Sequence, residues 1–186
     1  GSTIDVDEGG DFLFPVGTVL RKDFYWADVL LETRLFMQHP SGDWAGYTYA
    51  WSEDRSDAVL VRGGQTATMG GVEWTWPTEA QCMQCHTQAS NRSLGIEVLQ
   101  LDGDFEYPGG RSANQLETLQ HIGMLELGGA DGVVGMPALT GSAPLEERAR
   151  AYLHANCSMC HQPNATGGGA GDMRYLSEAP NLCNVE

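Results

Sequence analysis

The chain has 186 residues, enough for one domain or two small ones with a real core. Its net charge of −15 argues against nucleic acid and anionic lipid as partners and for basic or neutral proteins, or simply for a well-solvated surface. Hydrophobic residues make up 41%, the 24 glycines foretell several short loops, and no apolar run is long enough to cross a membrane.

Residues 1–11 are acidic and Gly-rich and read as a loose lead-in. Gly1-Ser2 looks like a cloning remnant, so a preceding export or anchor segment is expected to have been removed. Over residues 12–76 the pattern changes to alternation and turns. Leu31, Thr33, Leu35 and Met37 share one face, with Glu32 and Arg34 on the other, as a half-buried strand requires. His39-Pro40-Ser41-Gly42-Asp43 breaks the chain, and residues 44–51 read as the returning strand of a hairpin. A strand over 58–62 and alternation of Val72, Trp74 and Trp76 complete a module of five or six strands. The aromatic residues Trp44, Tyr47, Tyr49, Trp51, Trp74 and Trp76 suit a core better than a glycan-binding strip, because aromatic residues are good strand formers. His39, beside a proline in a turn, reads as an exposed residue.

At Pro77-Thr78 the pattern becomes helical, and Thr78 with Gln81 has capping-box spacing. That helix runs into Cys82-Met83-Gln84-Cys85-His86, which occurs again as Cys157-Ser158-Met159-Cys160-His161. Cys-x-x-Cys-His is the pattern for covalent c-type haem attachment. Two thiols on one turn, Cys82 and Cys85 or Cys157 and Cys160, add to the two vinyl groups of one haem. His86 or His161 then stands below the ring as the proximal iron ligand. Two haem c groups are therefore expected. Other readings of the cysteines are a thioredoxin-like redox pair and a zinc site made from all four. Both leave the two histidines as coincidences.

Between the motifs, residues 91–110 read as a loop. Ser112 and Gln115 suggest a capping box opening a helix through about residue 124, buried along Leu116, Leu119 and Ile122. Ser142 is expected to cap a third helix through about residue 155, with Leu145, Ala149, Tyr152 and Leu153 as its apolar stripe. His154 falls on its polar side and is not expected to bind iron. Cys183, outside both motifs, is expected to be buried or paired.

From Cys82 to Leu153 the order of features resembles class I cytochrome c: a haem motif, helices, a Met136-Pro137 loop, then a helix carrying Tyr152-Leu153. The resemblance implies His86 as proximal and Met136 as distal ligand of the first iron. Packing in the core is the other reading of Met136, and His121 is the rival ligand. The β-rich start departs from that family. For the second iron His161 is the expected proximal ligand and Met173, the only thioether that follows, the candidate distal one; the other expectations are a truncated second unit, or a sixth position left open or filled by a partner. Over nearly its whole length the chain also resembles exported bacterial diheme c-type cytochromes of unassigned role. That resemblance rests on Phe14-Pro15-Val16-Gly17-Thr18-Val19, Leu31-Glu32-Thr33-Arg34-Leu35, Asn114-Gln115-Leu116 and Arg148-Ala149-Arg150-Ala151-Tyr152-Leu153.

These observations predict an α+β chain: a β-rich module (1–77), then a mostly α-helical class I cytochrome c-like haem region divided into a first haem unit (78–141) and a second attachment unit (142–186). The expected role is electron transfer in the periplasm or outside the cell, between partners such as an exported dehydrogenase and an oxidase. A diheme peroxidase-like enzyme and a haem-based sensor or glycan-binding module are the alternatives.

Overall fold

The computed structural model describes residues 2–130, 132–167 and 169–182. It divides into two compact units: Val16–Cys85, and the chain before and after that segment. The division differs from the boundaries expected at 77/78 and 141/142. The opening residues join the C-terminal part, and the first haem motif is cut between Cys85 and His86. Among the described residues no helix is long and apolar enough to cross a membrane.

The chain opens with β1 (Asp5–Val6) and β2 (Phe12–Leu13), which pair antiparallel and belong to the split unit. The central unit follows. Its β3 (Val19–Trp26), β4 (Val29–Gln38), β5 (Trp44–Trp51) and β6 (Ala58–Val61) form an antiparallel meander in that order. A separate hairpin holds β7 (Gln65–Met69) and β8 (Val72–Trp76), and α1 (Glu79–Cys85) ends the unit. The 39–43 turn forms as expected: the Asp43 carbonyl accepts from the His39 N–H at 2.8 Å, and Gly42 takes a positive φ of 89°.

One face of β4 differs from the expected pattern. Glu32, placed on the solvent side by alternation, is fully buried. Arg34 donates to it twice, from Nε at 2.5 Å and from Nη2 at 3.0 Å, and Trp74 Nε1–H donates at 3.0 Å. The guanidinium also lies 4.2 Å from the centre of the Phe24 ring. A buried carboxylate is tolerated when its charge is paired and its lone pairs are filled. Glu32→Ala would leave Arg34 and the Trp74 N–H without this acceptor. The expected cost is about 3 kcal/mol in urea unfolding, and a loss below about 1 kcal/mol would mean the pair acts as an ordinary surface bridge.

The aromatic residues serve the interior of this unit. Trp44 stacks on Phe36 with centroids 5.0 Å apart, Trp51 Nε1–H donates to Thr33 Oγ1 at 2.9 Å, and Trp76 is 1% exposed.

The split unit is built from α2 (Val98–Leu101), β9 (Asp104–Tyr107), β10 (Arg111–Asn114), α3 (Gln115–His121) and α4 (Leu145–Cys157), joined to β1 and β2. Its core gathers Val6, Phe12, Val98, Leu116, Leu125 and Ala130. The opening segment is thus part of a core rather than a loose lead-in. Ile4 bridges Leu125 in parallel, and Asp11 bridges Glu97 antiparallel.

The expected mostly α-helical, class I cytochrome c-like region is not what forms. Strand accounts for about 31% of the described residues and helix for about 20%. The Tyr107-Pro108-Gly109-Gly110 stretch makes a hairpin turn between β9 and β10, with positive φ at both glycines. Ser112 therefore lies in a strand, and Asn114 caps α3 instead, its side chain accepting from the amides of Leu116 and Glu117. That helix stops at His121, before a positive-φ Gly123, and Ile122 is exposed. For α4 the cap is Pro144 rather than Ser142, since a proline without an N–H suits a helix start. Its buried face carries Ala151 and His154, whereas Leu145 and Tyr152 are exposed.

Candidate functional site

The first cysteine pair is set by a local signal. Thr78 N–H donates to Gln81 Oε1 at 2.8 Å and Gln81 N–H to Thr78 Oγ1 at 3.2 Å, the reciprocal bonds of a capping box. Helix α1 starts there and holds Cys82 and Cys85 three residues apart, on one side of a single turn. Cys85 is exposed, while Cys82 is half-buried against β5. A Cβ on Gly46 would stand 2.7 Å from Cys82 Sγ, so only glycine fits there. Burial pushes the Cys82 thiol above its ordinary pKa. A thioredoxin-like nucleophile needs the opposite shift.

His86, in the split unit, has a well-defined ring. Its Nδ1 lies 2.5 Å from the Arg92 carbonyl oxygen. A carbonyl can only accept, so Nδ1 carries the hydrogen and Nε2 the lone pair. Arg92 adopts a positive φ of 68° to present that carbonyl, and its guanidinium returns a bond to the His86 carbonyl at 2.8 Å. A histidine ligand characteristically donates its second ring N–H to such an oxygen, which fixes tautomer and orientation. Nothing in the residue pattern marked Arg92 for this role, because the bond uses its main chain.

The second motif begins where α4 ends. The Cys157 carbonyl accepts from the amides of Cys160 at 3.0 Å and His161 at 2.9 Å, which closes the turn between the thiols. The following loop folds back onto it: Gly167 N–H donates to the Cys160 carbonyl at 2.7 Å. A Cβ at Gly167 would fall 2.3 Å from that oxygen and 3.1 Å from His161 Nδ1. Met173 N–H donates to the His161 carbonyl at 2.9 Å, with Asp172 and Arg174 paired on either side of it. That bond ties the Met173 main chain to His161.

Met136 stands in a loop anchored to α2. Its N–H donates to the Leu99 carbonyl at 2.9 Å, and Gly135 N–H donates to Asp102 Oδ2 at 2.9 Å. Asp102 also accepts from Asn114 Nδ2 at 2.8 Å, so one carboxylate joins the Met136-Pro137 loop to the cap of α3. His121 is exposed at the end of α3, beside a shallow cleft with Tyr107 and Arg111. His39 is half-buried, with Nε2 2.9 Å from the Tyr47 hydroxyl. Cys183 lies outside the described residues. No disulfide joins Cys82, Cys85, Cys157 or Cys160. Among the described residues no three His, Cys, Asp or Glu side chains gather as a metal site.

His154 reverses its expected place: it is 6% exposed. Tyr175 N–H donates to its Nδ1 at 2.9 Å, so Nε2 is the protonated nitrogen and donates to Glu97 Oε1 at 2.6 Å. Beside Glu97 stands Asp11, whose pKa is raised to about 6, first by burial and then by the charges of Glu97 and Asp7. This cluster had no signature in the chain because its members come from three distant segments.

No family model, no curated protein and no solved structure matches this chain.

Proposed function

We propose that this chain is an exported c-type cytochrome, of the diheme kind it resembles, that passes electrons between redox proteins. The haems would be held by Cys82 and Cys85 and by Cys157 and Cys160. The observation that carries the reading is the His86 ring, whose Nδ1–H is committed to the Arg92 carbonyl, the bond by which a ligating histidine is characteristically oriented. Two further features support it. Each Cys-x-x-Cys pair sits at the C-terminal end of a helix, α1 or α4, with its histidine next in the chain. Trp76, just ahead of α1, has a buried Nε1–H with no acceptor among the described residues, a donor that a carboxylate of a bound group would satisfy.

Haem supplies reversible one-electron chemistry at a potential set by its ligands. The chain would supply the thiols that anchor it, with His86 and Met136 as donors to the first iron and His161 as a donor to the second. A thioether opposite histidine raises the potential, which suits a carrier. Asp102 acts as a positioning residue for that loop. For the second iron, Met173, whose main chain is tied to His161, would be the thioether donor that follows the motif. The acidic surface suits docking to basic faces of a dehydrogenase or an oxidase.

The test is the intact mass of the exported protein under denaturing conditions, because thioether-bound haem survives denaturation. Two haem increments are the expected result. One would mean a monohaem carrier, and none would overturn the reading and return the cysteines to zinc or redox chemistry.

A further inference from the structure

Asp11, Glu97 and His154 come together in the split unit, although the haem reading uses none of them. The antiparallel bridge sets Asp11 opposite Glu97. Two carboxylates so placed repel each other unless a proton is shared. Glu97 is 6% exposed, and its Oε1 accepts from His154 Nε2 and from Gln100 Nε2 at 2.7 Å. All three line a cavity of about 260 Å3. Its wall includes Ser158 and Met159, the two variable residues of the second Cys-x-x-Cys-His. Ser158 Oγ–H also donates to the His154 carbonyl at 2.7 Å, so cluster and motif share one helix end.

We propose that Asp11, Glu97 and His154 form a proton-binding site that takes up one proton when the haem on the second motif is reduced. The proposal rests on the electron-carrier reading above. In balance, one electron from the redox partner would go to the haem held by Cys157, Cys160 and His161, and one solvent proton would enter the cavity and bind the Asp11–Glu97 pair. Reoxidation returns both. The cause is electrostatic: negative charge added near a poorly solvated carboxylate makes its ionised form costlier.

The surrounding charges favour the carboxylates as acceptor. Burial, Glu97 and Asp7 raise Asp11, and His154 faces Glu97 through its Nε2–H. Glu8 and Arg174 also line the cavity, with Arg174 held by Asp172. His154 is a poor acceptor, since protonating Nδ1 would break its bond from Tyr175. Asp11, already at about 6, lies where a modest rise brings it across neutral pH.

The experiment is to measure both haem potentials in the holoprotein from about pH 5 to about 8 by spectroelectrochemical titration. One potential should stay level below about pH 6 and fall above it, approaching ~59 mV per pH unit, the one-electron equivalent of a tenfold change. Asp11→Asn should flatten that curve and leave the other haem unchanged. Should that variant fold poorly, the infrared difference spectrum of the wild type on reduction should still show a newly protonated carboxyl group. Two haems with pH-independent potentials would overturn the site, and so would a slope that survives both Asp11→Asn and Glu97→Gln. A denatured mass lacking the second haem would remove the site together with the relay, which tells the two failures apart.

Discussion

Replacing Cys157 and Cys160 together by alanine is expected to remove one haem from the denatured mass, and replacing Cys82 and Cys85 to remove the other. The effect is all-or-none because a thioether is a covalent bond. Mass counts haems directly, with no dependence on how well either iron is ligated. Loss of haem should not be confused with loss of fold. Cys82 packs against Gly46 of β5, and trimming its sulfur removes little volume, at a cost of about 1 kcal/mol. The central sheet should therefore keep its far-ultraviolet signal in the Cys82→Ala, Cys85→Ala variant. If removing Cys157 and Cys160 leaves the mass of bound haem unchanged, the second motif carries none, and the relay reduces to a single centre.

Phe12→Ala is expected to cost the split unit about 3–5 kcal/mol, the usual loss for a fully buried phenylalanine. Phe12 is 1% exposed and meets Phe14 edge-on at 6.0 Å. It lies in the core with Val98 and Leu116, which are far away in the chain. Amide exchange offers a local reading. The Val98 N–H, bonded to the Gly10 carbonyl at 2.9 Å, should exchange at least about 100-fold faster in the variant. A change under about tenfold would restore the view of these residues as a loose lead-in.

Several features were legible because the signal and the structure lie within a few residues of each other. The Thr78–Gln81 capping box forms as spaced, and the 39–43 turn and the Trp44–Trp51 strand fall where alternation and turn residues put them. The same local logic failed where two signals competed. Ser112 has capping-box spacing to Gln115, yet the Pro-Gly-Gly turn before it builds a hairpin, and Asn114 takes the cap. At Ser142 a nearby proline decided the start of the helix. The class I order of features described positions along the chain and did not foresee how little helix the chain between them would form.

The sequence by itself determined the two Cys-x-x-Cys-His runs, the antiparallel hairpin over residues 31–51 and the helix that delivers Cys82 and Cys85. Each depends on spacing or on a cap, which short-range sterics and hydrogen bonds settle. Only the tertiary structure decided that Glu32 is buried against Trp74, that residues 4–14 complete a core with α2 and α3, and that His154 meets Glu97 and Asp11. A polar side chain is buried only when a partner from elsewhere satisfies it. That partner lies outside any local window, so composition and periodicity place such a residue in solvent by default.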